Sequence, residues 1–405
     1  MPDPMPAPPT VTGRASTARL ARWQGAVEVL AHLRGTPGVT RAALARDLGL
    51  GSGTATELLG RLRDAHLLAE QPAPATGRGR PTTILRAHPA GPLVLVIDVR
   101  HEEWRIAVAA LDGTLTDDTR MRHAARDPRR VRDALTEAVR TTVRRLPGRI
   151  RAVSLAIAGT VQEQRLVQAS AMGWGPIDLA PIVAGTGLPL IAGNDATLAG
   201  VAEARTGAAH GHRAALHLLI EVGIGGVTVV DGRPITGALG AGGEFGHLPF
   251  GDPTRPCPCG AYGCWDLEID GRALARHLGA PPPADPRSYA RDLLTEVERT
   301  AGQSSPAATA LHTVAAAFGR GVAGLVNAHD PDVVTIGGLA IRLRQAAPEA
   351  FARAYHAGLM TFRRDRPPPV RDAQHGDDGA LHGAAMLGLD AITNVEALAD
   401  WHRRR

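Results

Sequence analysis

In residues 21–33 the apolar side chains Val27, Val29, Leu30 and Leu33 fall near one face of a helix, which Gly35 and Pro37 then close. A second, short helix opens at Thr40, a candidate N-cap, carries Ala42, Ala43, Leu44, Ala45 and Leu48, and stops at Gly49. Leu50, Gly51 and Ser52 lead into a third, whose Leu58, Leu59, Leu62 and Leu67 face inward. Two short helices joined by a tight glycine turn meet the requirement of a helix-turn-helix, since the second must leave the first steeply to enter a major groove. After Glu70 comes a Pro/Ala/Gly stretch, then Gly77-Arg78-Gly79-Arg80-Pro81 and a candidate strand at 82–86. That pattern reads as a β-wing with two guanidinium groups at its tip, chemistry fit for phosphates or a minor groove.

His88-Pro89-Ala90-Gly91-Pro92 interrupts any continuing element and marks a domain boundary. Beyond it the periodicity changes. The near-continuous apolar run at 93–99, the segment 104–111 and a turn at Asp112-Gly113 predict an opening hairpin of a buried sheet. Further strands are expected at 152–156, 190–192, 215–220, 226–230 and 333–336, alternating with helices at 131–145 and 311–328. Strands and helices interleaved in this way predict an α/β domain.

The length of 405 residues allows two or three domains, and 44% hydrophobic residues suffice for a sizeable core. No stretch approaches 18 uncharged apolar residues, so no membrane span is expected. The Pro-rich start lacks a basic region followed by an apolar run, so a cytoplasmic location is the default expectation. Every one of the 45 basic residues is Arg. Residues 1–90 hold 11 Arg against 6 acids, net +5, whereas residues 91–405 hold 34 of each. The front module therefore carries the whole basic excess, where a polyanion would be met.

All three cysteines fall within eight residues, Cys257-x-Cys259-x4-Cys264, ten positions after His247. An odd count cannot pair fully as disulfides, and three thiolates with one imidazole complete the closed tetrahedral set that structural Zn2+ prefers. An imidazole has two distinct nitrogens, so one can meet the metal while the other meets a ligand hydroxyl.

The segment at 40–70 followed by Gly-Arg-Gly-Arg-Pro resembles the winged helix-turn-helix of repressors in the ROK family, which joins repressors and sugar kinases. The resemblance extends over residues 20–395, and the cysteine loop resembles that family's zinc motif directly. It implies an N-terminal winged helix-turn-helix and a two-lobed ribonuclease-H-like domain of the actin/sugar-kinase type. Expected boundaries are a tail at 1–14, the DNA-binding domain at 15–88, and the sugar-binding domain at 93–397. Its lobes are expected at about 93–200 with the C-terminal helix and about 201–380, with a tail at 398–405.

By the same resemblance Ser52, Thr54, Thr56 and Arg61 would face the groove and Arg78 and Arg80 would sit on the wing, although Glu57 stands where relatives often carry Arg. Asn194, Asp195, Glu244, His247 and Asp266 would hold a sugar, Asp266 replacing the usual Glu. His247, Cys257, Cys259 and Cys264 would hold zinc. The kinase phosphate loops depart from the family pattern. Asp98-Val99-Arg100-His101-Glu102 has lost both glycines and the threonine, and Glu221 opens the second loop, while Ile336-Gly337-Gly338 is intact. A carboxylate at Glu221 repels polyphosphate at close range, so no ATP cofactor is expected. The implied protein is not an enzyme but a sugar-responsive transcription regulator, usually a repressor, acting as a homodimer or homotetramer on operator DNA. The alternative is an ATP-dependent sugar kinase with a DNA-binding appendage, using Asp195 as base.

Overall fold

The computed structural model describes residues 13–73, 83–123, 127–169, 172–221, 223–299 and 304–404. They divide into two compact units. The first comprises Met1–Val94, Ala109–Thr114 and Leu389–Arg405; the second comprises Leu95–Val108 and Leu115–Gly388.

The first unit opens with helices α1 (Gly13–Gly35), α2 (Arg41–Asp47) and α3 (Ser52–Asp64), then strands β1 (Leu68–Pro72) and β2 (Thr83–Ala87). Thr40 caps α2 by accepting the Ala43 N–H at 3.2 Å, which satisfies one of the donors a helix start leaves open. Trp23, Ala26, Val29, Leu30 and Leu33 of α1 are buried, as are Leu44, Leu58, Leu59, Leu62 and Leu85. β1 and β2 pair antiparallel from Leu68↔Ala87 to Pro72↔Thr83, so helix, turn, helix and wing form the expected winged arrangement. The wing-tip residues Arg78 and Arg80 lie outside the described residues. Helix α1 starts well before residue 21, because Gly13–Leu20 lacks the apolar periodicity that betrays a helix in sequence.

Next come β3 (Leu93–Val99), β4 (Glu103–Ala109), β5 (Leu115–Arg122), α4 (Pro128–Arg145) and β6 (Ile150–Ile157). The short strands β7 (Thr160–Gln162), β8 (Arg165–Gln168) and β9 (Ile177–Asp178) precede β10 (Leu190–Asn194) and α5 (Asp195–Thr206). A five-stranded sheet has the order β10-β6-β3-β4-β5, and β7-β8-β9 form a small separate sheet. β3 is buried along its whole length, which explains its unbroken apolar run, whereas the edge strand β5 is almost wholly exposed.

The chain continues through β11 (Ala214–Ile220), β12 (Ile224–Val230), β13 (Arg233–Ile235), α6 (Asp266–Ile269), α7 (Gly271–His277), α8 (Pro286–Arg299), α9 (Pro306–His329), β14 (Val333–Gly338), α10 (Leu339–Ala346), α11 (Pro348–Gly358), α12 (Thr361–Arg364) and β15 (Val370–Asp372). The second sheet has the order β13-β12-β11-β14-β15. β12 runs antiparallel to β11, and β14 runs parallel to it. Helix α9, which contains Arg320, is long and apolar enough to cross a membrane by length and composition alone. It is 61% buried inside the protein, with Leu311, Val314, Phe318 and Val322 in the core shared with Trp265, Phe351 and Tyr355. Hydropathy alone does not distinguish a central core helix from a span.

Helix α13 (Gly379–Ile392) and helix α14 (Val395–Arg403) close the chain. The tail expected from 398 is therefore helical, and Leu398, Ala399 and Trp401 are buried. The Trp401 indole N–H donates to the Ala65 carbonyl at 2.9 Å. Arg34 of α1 donates to Thr393 Oγ1 at 3.2 Å and to Asp390 Oδ1 at 3.1 Å. The last residues thus belong to the unit that holds the three N-terminal helices. Terminal position and the run of arginines hid this helix in the sequence.

Trp401 is only 6% exposed, so Trp401→Ala is expected to cost the first unit about 3–5 kcal/mol. Hydrogen exchange of α1 and α3 amides measures it. Unchanged protection there would show that the C-terminal helix is no part of that unit's core.

Candidate functional site

Strand register in the second unit assembles a cavity of about 250 Å³ at the ends of β3, β6, β10 and β11, lined by Asp98, Asn194, Asp195, Glu221, Glu244, His247 and Asp266 among others. The parallel pairing Asn194↔Ile157 sets Asn194 beside the loop after β6. Its amide donates to the Gly159 carbonyl at 3.1 Å, and its oxygen caps α5 by accepting the Thr197 N–H at 2.9 Å. Asn194 is thus fixed by the fold before any ligand arrives. Asp195 opens α5, with Oδ1 taking the Ala196 N–H at 2.9 Å and the Asn194 amide at 3.1 Å. Burial, with the carboxylates of Asp98 and Glu221 nearby, pushes Asp195 up to about 7.

The other wall comes from the turn that precedes the cysteine loop. Glu244 accepts the Thr160 hydroxyl at 2.6 Å, and its other oxygen lies 4.0 Å from His247 Nε2. Thr160, on β7, is a pocket residue that no sequence pattern marked. The His247 Nδ1 lies 3.8 Å from the Cys257 Sγ, so the two ring nitrogens face different neighbours as expected. Asp266 lines the same cavity. Its Oδ1 accepts the Ile224 N–H at 2.7 Å, and its Oδ2 lies 3.9 Å from His247 Nδ1. Being one methylene shorter than Glu, it reaches the glycine loop 223–226 and holds it. Gly246 permits this, since a Cβ there would lie 2.0 Å from Asp266 Oδ1. Burial raises Asp266 to about 6.

His247, Cys257, Cys259 and Cys264 present ligand atoms all within 4.8 Å of one another. A tetrahedron with metal–sulfur bonds of about 2.3 Å has edges of about 3.8 Å. The Cys259–Cys264 separation of 3.7 Å and the Cys257–His247 separation of 3.8 Å match those edges. The same distances are far too long for disulfides, and all three cysteines are free. Burial together with the other two thiols pushes Cys264 up to about 12, so the three thiols do not ionise together without a cation among them. The donor set fits Zn2+. Trp265 joins this loop to the core, stacking on Phe318 and donating to the Ala317 carbonyl at 3.2 Å.

The end of the cavity where the phosphate loops would lie is occupied by the protein's own charges. Asp98 is wholly buried, and Arg100 donates to it at 2.7 Å and to the Asp377 carbonyl. Arg100 stands where the family pattern has glycine, and it converts a phosphate cradle into an internal ion pair. Glu221 pairs with Arg287 of α8. The register Ile220↔Gly338 brings Glu221 against the third loop. A Cβ on Gly338, at φ +63, would lie 2.2 Å from the Ile220 carbonyl, so glycine is required there for backbone packing alone. Arg100 and Arg287 are the site residues that sequence reasoning missed. Arg287 had no motif around it, and its role follows from α8 folding back onto the end of β11.

In the first unit Ser52, Thr54 and Thr56 are exposed at the start of α3. Thr56 donates to the Ser52 carbonyl at 2.6 Å and accepts from Arg41, a second cation that the sequence pattern left unremarked. Arg61 donates to the Arg22 carbonyl at 2.7 Å and to Glu57 at 2.8 Å, which ties it to α1. The (i, i+4) spacing of Glu57 and Arg61 explains the capture.

Two measurements follow. Cys257→Ser and Cys259→Ser are each expected to lose bound metal and loosen the pocket wall; retention of stoichiometric zinc in elemental analysis of both would refute the metal centre. For Asp195 the ordinary value is 3.8 and the folded value about 7, so the folded chain binds that proton more tightly than the unfolded one. Its contribution to stability is complete below about pH 4 and is lost as pH rises through about 7. Asp195→Asn is expected to flatten the pH dependence of thermal stability across that window, and parallel profiles for both proteins would show Asp195 to be an ordinary carboxylate.

The ROK family profile matches residues 94–391. The glucokinase of Streptomyces coelicolor is 29% identical over 279 residues, covering 65% of this chain and 87% of its own. The xylose repressor of Bacillus spizizenii is 25% identical over 252 residues, covering 61% of this chain and 65% of its own. A solved ROK family transcriptional regulator, described as a homologue of the Escherichia coli MLC protein, superposes with a TM-score of 0.73. It is 21% identical and covers 95% of this chain and 100% of its own, a likeness that establishes the shared fold. The relatives thus include both repressors and sugar kinases, and the chain belongs to the ROK family.

Proposed function

We propose that this protein is a DNA-binding transcription regulator, acting as a repressor, whose α/β unit takes a sugar or sugar derivative as effector. The observation that carries the reading is the closed phosphate end of the cavity. The pairs Arg100–Asp98 and Glu221–Arg287 stand where a triphosphate would need open backbone and free cations. Displacing Arg100 would strand the buried charge of Asp98, at a cost of several kcal/mol. The hydroxyl-binding end is intact. Asn194, Asp195, Glu244 and His247 offer acceptors that form charge-assisted hydrogen bonds to a polyol, with Asp266 backing the loop beside them. His247, Cys257, Cys259 and Cys264 would hold a structural Zn2+, which cross-links the pocket wall without taking part in a reaction.

Operator DNA would be met by the start of α3, through Ser52, Thr54 and Thr56, with Arg78 and Arg80 on the wing. Two such modules must reach successive major-groove turns about 34–36 Å apart, which supports a homodimer, or a homotetramer built from two. The effector would change operator affinity by a coupling of about 1–3 kcal/mol. The reading places the protein in the cytoplasm with its duplex partner and needs no membrane.

The competing reading is an ATP-dependent sugar kinase with a DNA-binding appendage. Asp195 favours it, since a carboxyl near 7 is poised to take a proton from a hydroxyl, and so does the glucokinase relative. Footprinting on DNA beside the protein's own coding region, with and without candidate sugars, is expected to show a protected site that a sugar modulates. A cognate sugar at 100 times its dissociation constant should add about 2.7 kcal/mol to stability. Turnover above background in a coupled assay with ATP and hexoses would decide for the kinase.

A further inference from the structure

The zero net charge of residues 91–405 conceals an asymmetry. Residues 115–145, from β5 through α4, hold 9 Arg against 5 acids, net +4, and the remainder of 91–405 holds 25 Arg against 29 acids, net −4. The structure places the described part of this segment on one strand-and-helix surface of the second unit, the edge strand β5 and helix α4. Helix α4 buries Val131, Leu135 and Val139 against the fold and turns its arginines outward. Arg122, Arg129 and Arg140 are exposed and have no ion pair among the described residues. Arg120 and Arg130 reach Asp118 and Asp127 only at 3.7 and 3.9 Å, and the Arg130 side chain is 82% exposed. Arg144 and Arg145 are paired with Glu137 and Asp117 at 3.0 and 2.9 Å.

Loosely paired guanidinium groups on one surface repel one another and hold counter-anions from solution. A polyanion gains by replacing those ions, and guanidinium is the side chain that best meets phosphate oxygens. The acidic remainder of the domain would repel the same partner, so contact is confined to this surface. We infer that the β5–α4 surface is a second DNA-contact surface, which grips the phosphate backbone without reading sequence. The inference rests on the regulator reading above. An acidic protein is the other class of partner such a surface would take, and the repeated, evenly charged phosphate chain is favoured because the same polypeptide already carries a basic winged module.

The test compares the salt dependence of duplex binding, by fluorescence anisotropy on mixed-sequence duplex DNA, for three full-length proteins. These are the native chain, the variant Arg129→Gln/Arg130→Gln/Arg140→Gln, and a control carrying Arg291→Gln/Arg353→Gln/Arg366→Gln. All six side chains are exposed, so the fold tolerates the changes. If each patch arginine meets a phosphate, the slope of log affinity against log salt should fall by about 2 to 3 in the patch variant. The control should match the native chain. A patch variant with the native slope, or equal losses in both variants, overturns the inference. A native chain that binds no duplex at all overturns the regulator reading instead and takes this inference with it.

Discussion

A carboxylate sealed inside a protein must be neutralised, and here Asp98 at the end of β3 is neutralised by Arg100, two residues along the chain. That pair lines one end of the cavity. Its guanidinium fills the space that a glycine turn would leave for phosphate, and it also ties down the Asp377 carbonyl on the opposite side of the cavity. Burial raises Asp98 and the Arg100 charge opposes the rise. Asp98 in turn is one cause of the high value at Asp195, next to the amide of Asn194. The residues of one loop thus bear on both the lining of the cavity and the proton affinity of Asp195.

The opposite wall depends on a different kind of anchor. Cys264, Trp265 and Asp266 are consecutive, and they point to three different tasks. Cys264 faces the metal-ligand set, Trp265 lies wholly buried against Phe318, and Asp266 clasps the glycine loop at Ile224. Packing of one indole therefore fixes both the cysteine loop and the backbone that edges the cavity. A further buried carboxylate, Glu203, plays the comparable part behind α5. It accepts the backbone N–H groups of Ala208, Gln374 and His375 at 2.8, 3.0 and 2.8 Å, which holds the segment leading to the cavity residues Gly376 and Asp377. Buried carboxylates here act mainly as anchors for irregular backbone, since each such N–H would otherwise lack a partner.

What could be read from sequence shares one property: it is local. The Thr40 cap, the inward leucines of α3, the apolar run of β3 and the Cys257–Cys264 spacing each lie within a few turns of chain, where period and geometry are set by backbone sterics. The winged arrangement and the α/β class followed from those pieces. The extra length of α1 did not, because it carries no clear apolar period, and a terminal run of arginines hides the helix at Val395–Arg403. For Arg61, likewise, sequence gives its spacing from Glu57 but not the Arg22 carbonyl to which it donates.

The sequence by itself determined the three N-terminal helices, the α/β class, the four candidate metal ligands and the absence of the glycines and threonine from the first loop at 98–102. Only the tertiary structure decided what replaced them. Glu221 and Arg287 are 66 positions apart and become partners because α8 returns to the end of β11. Asp266, 42 positions from Ile224, anchors the glycine loop because the fold brings that backbone N–H within its reach. Long-range pairing and the reach of a side chain are properties of positions in space, and spacing along a chain does not encode them.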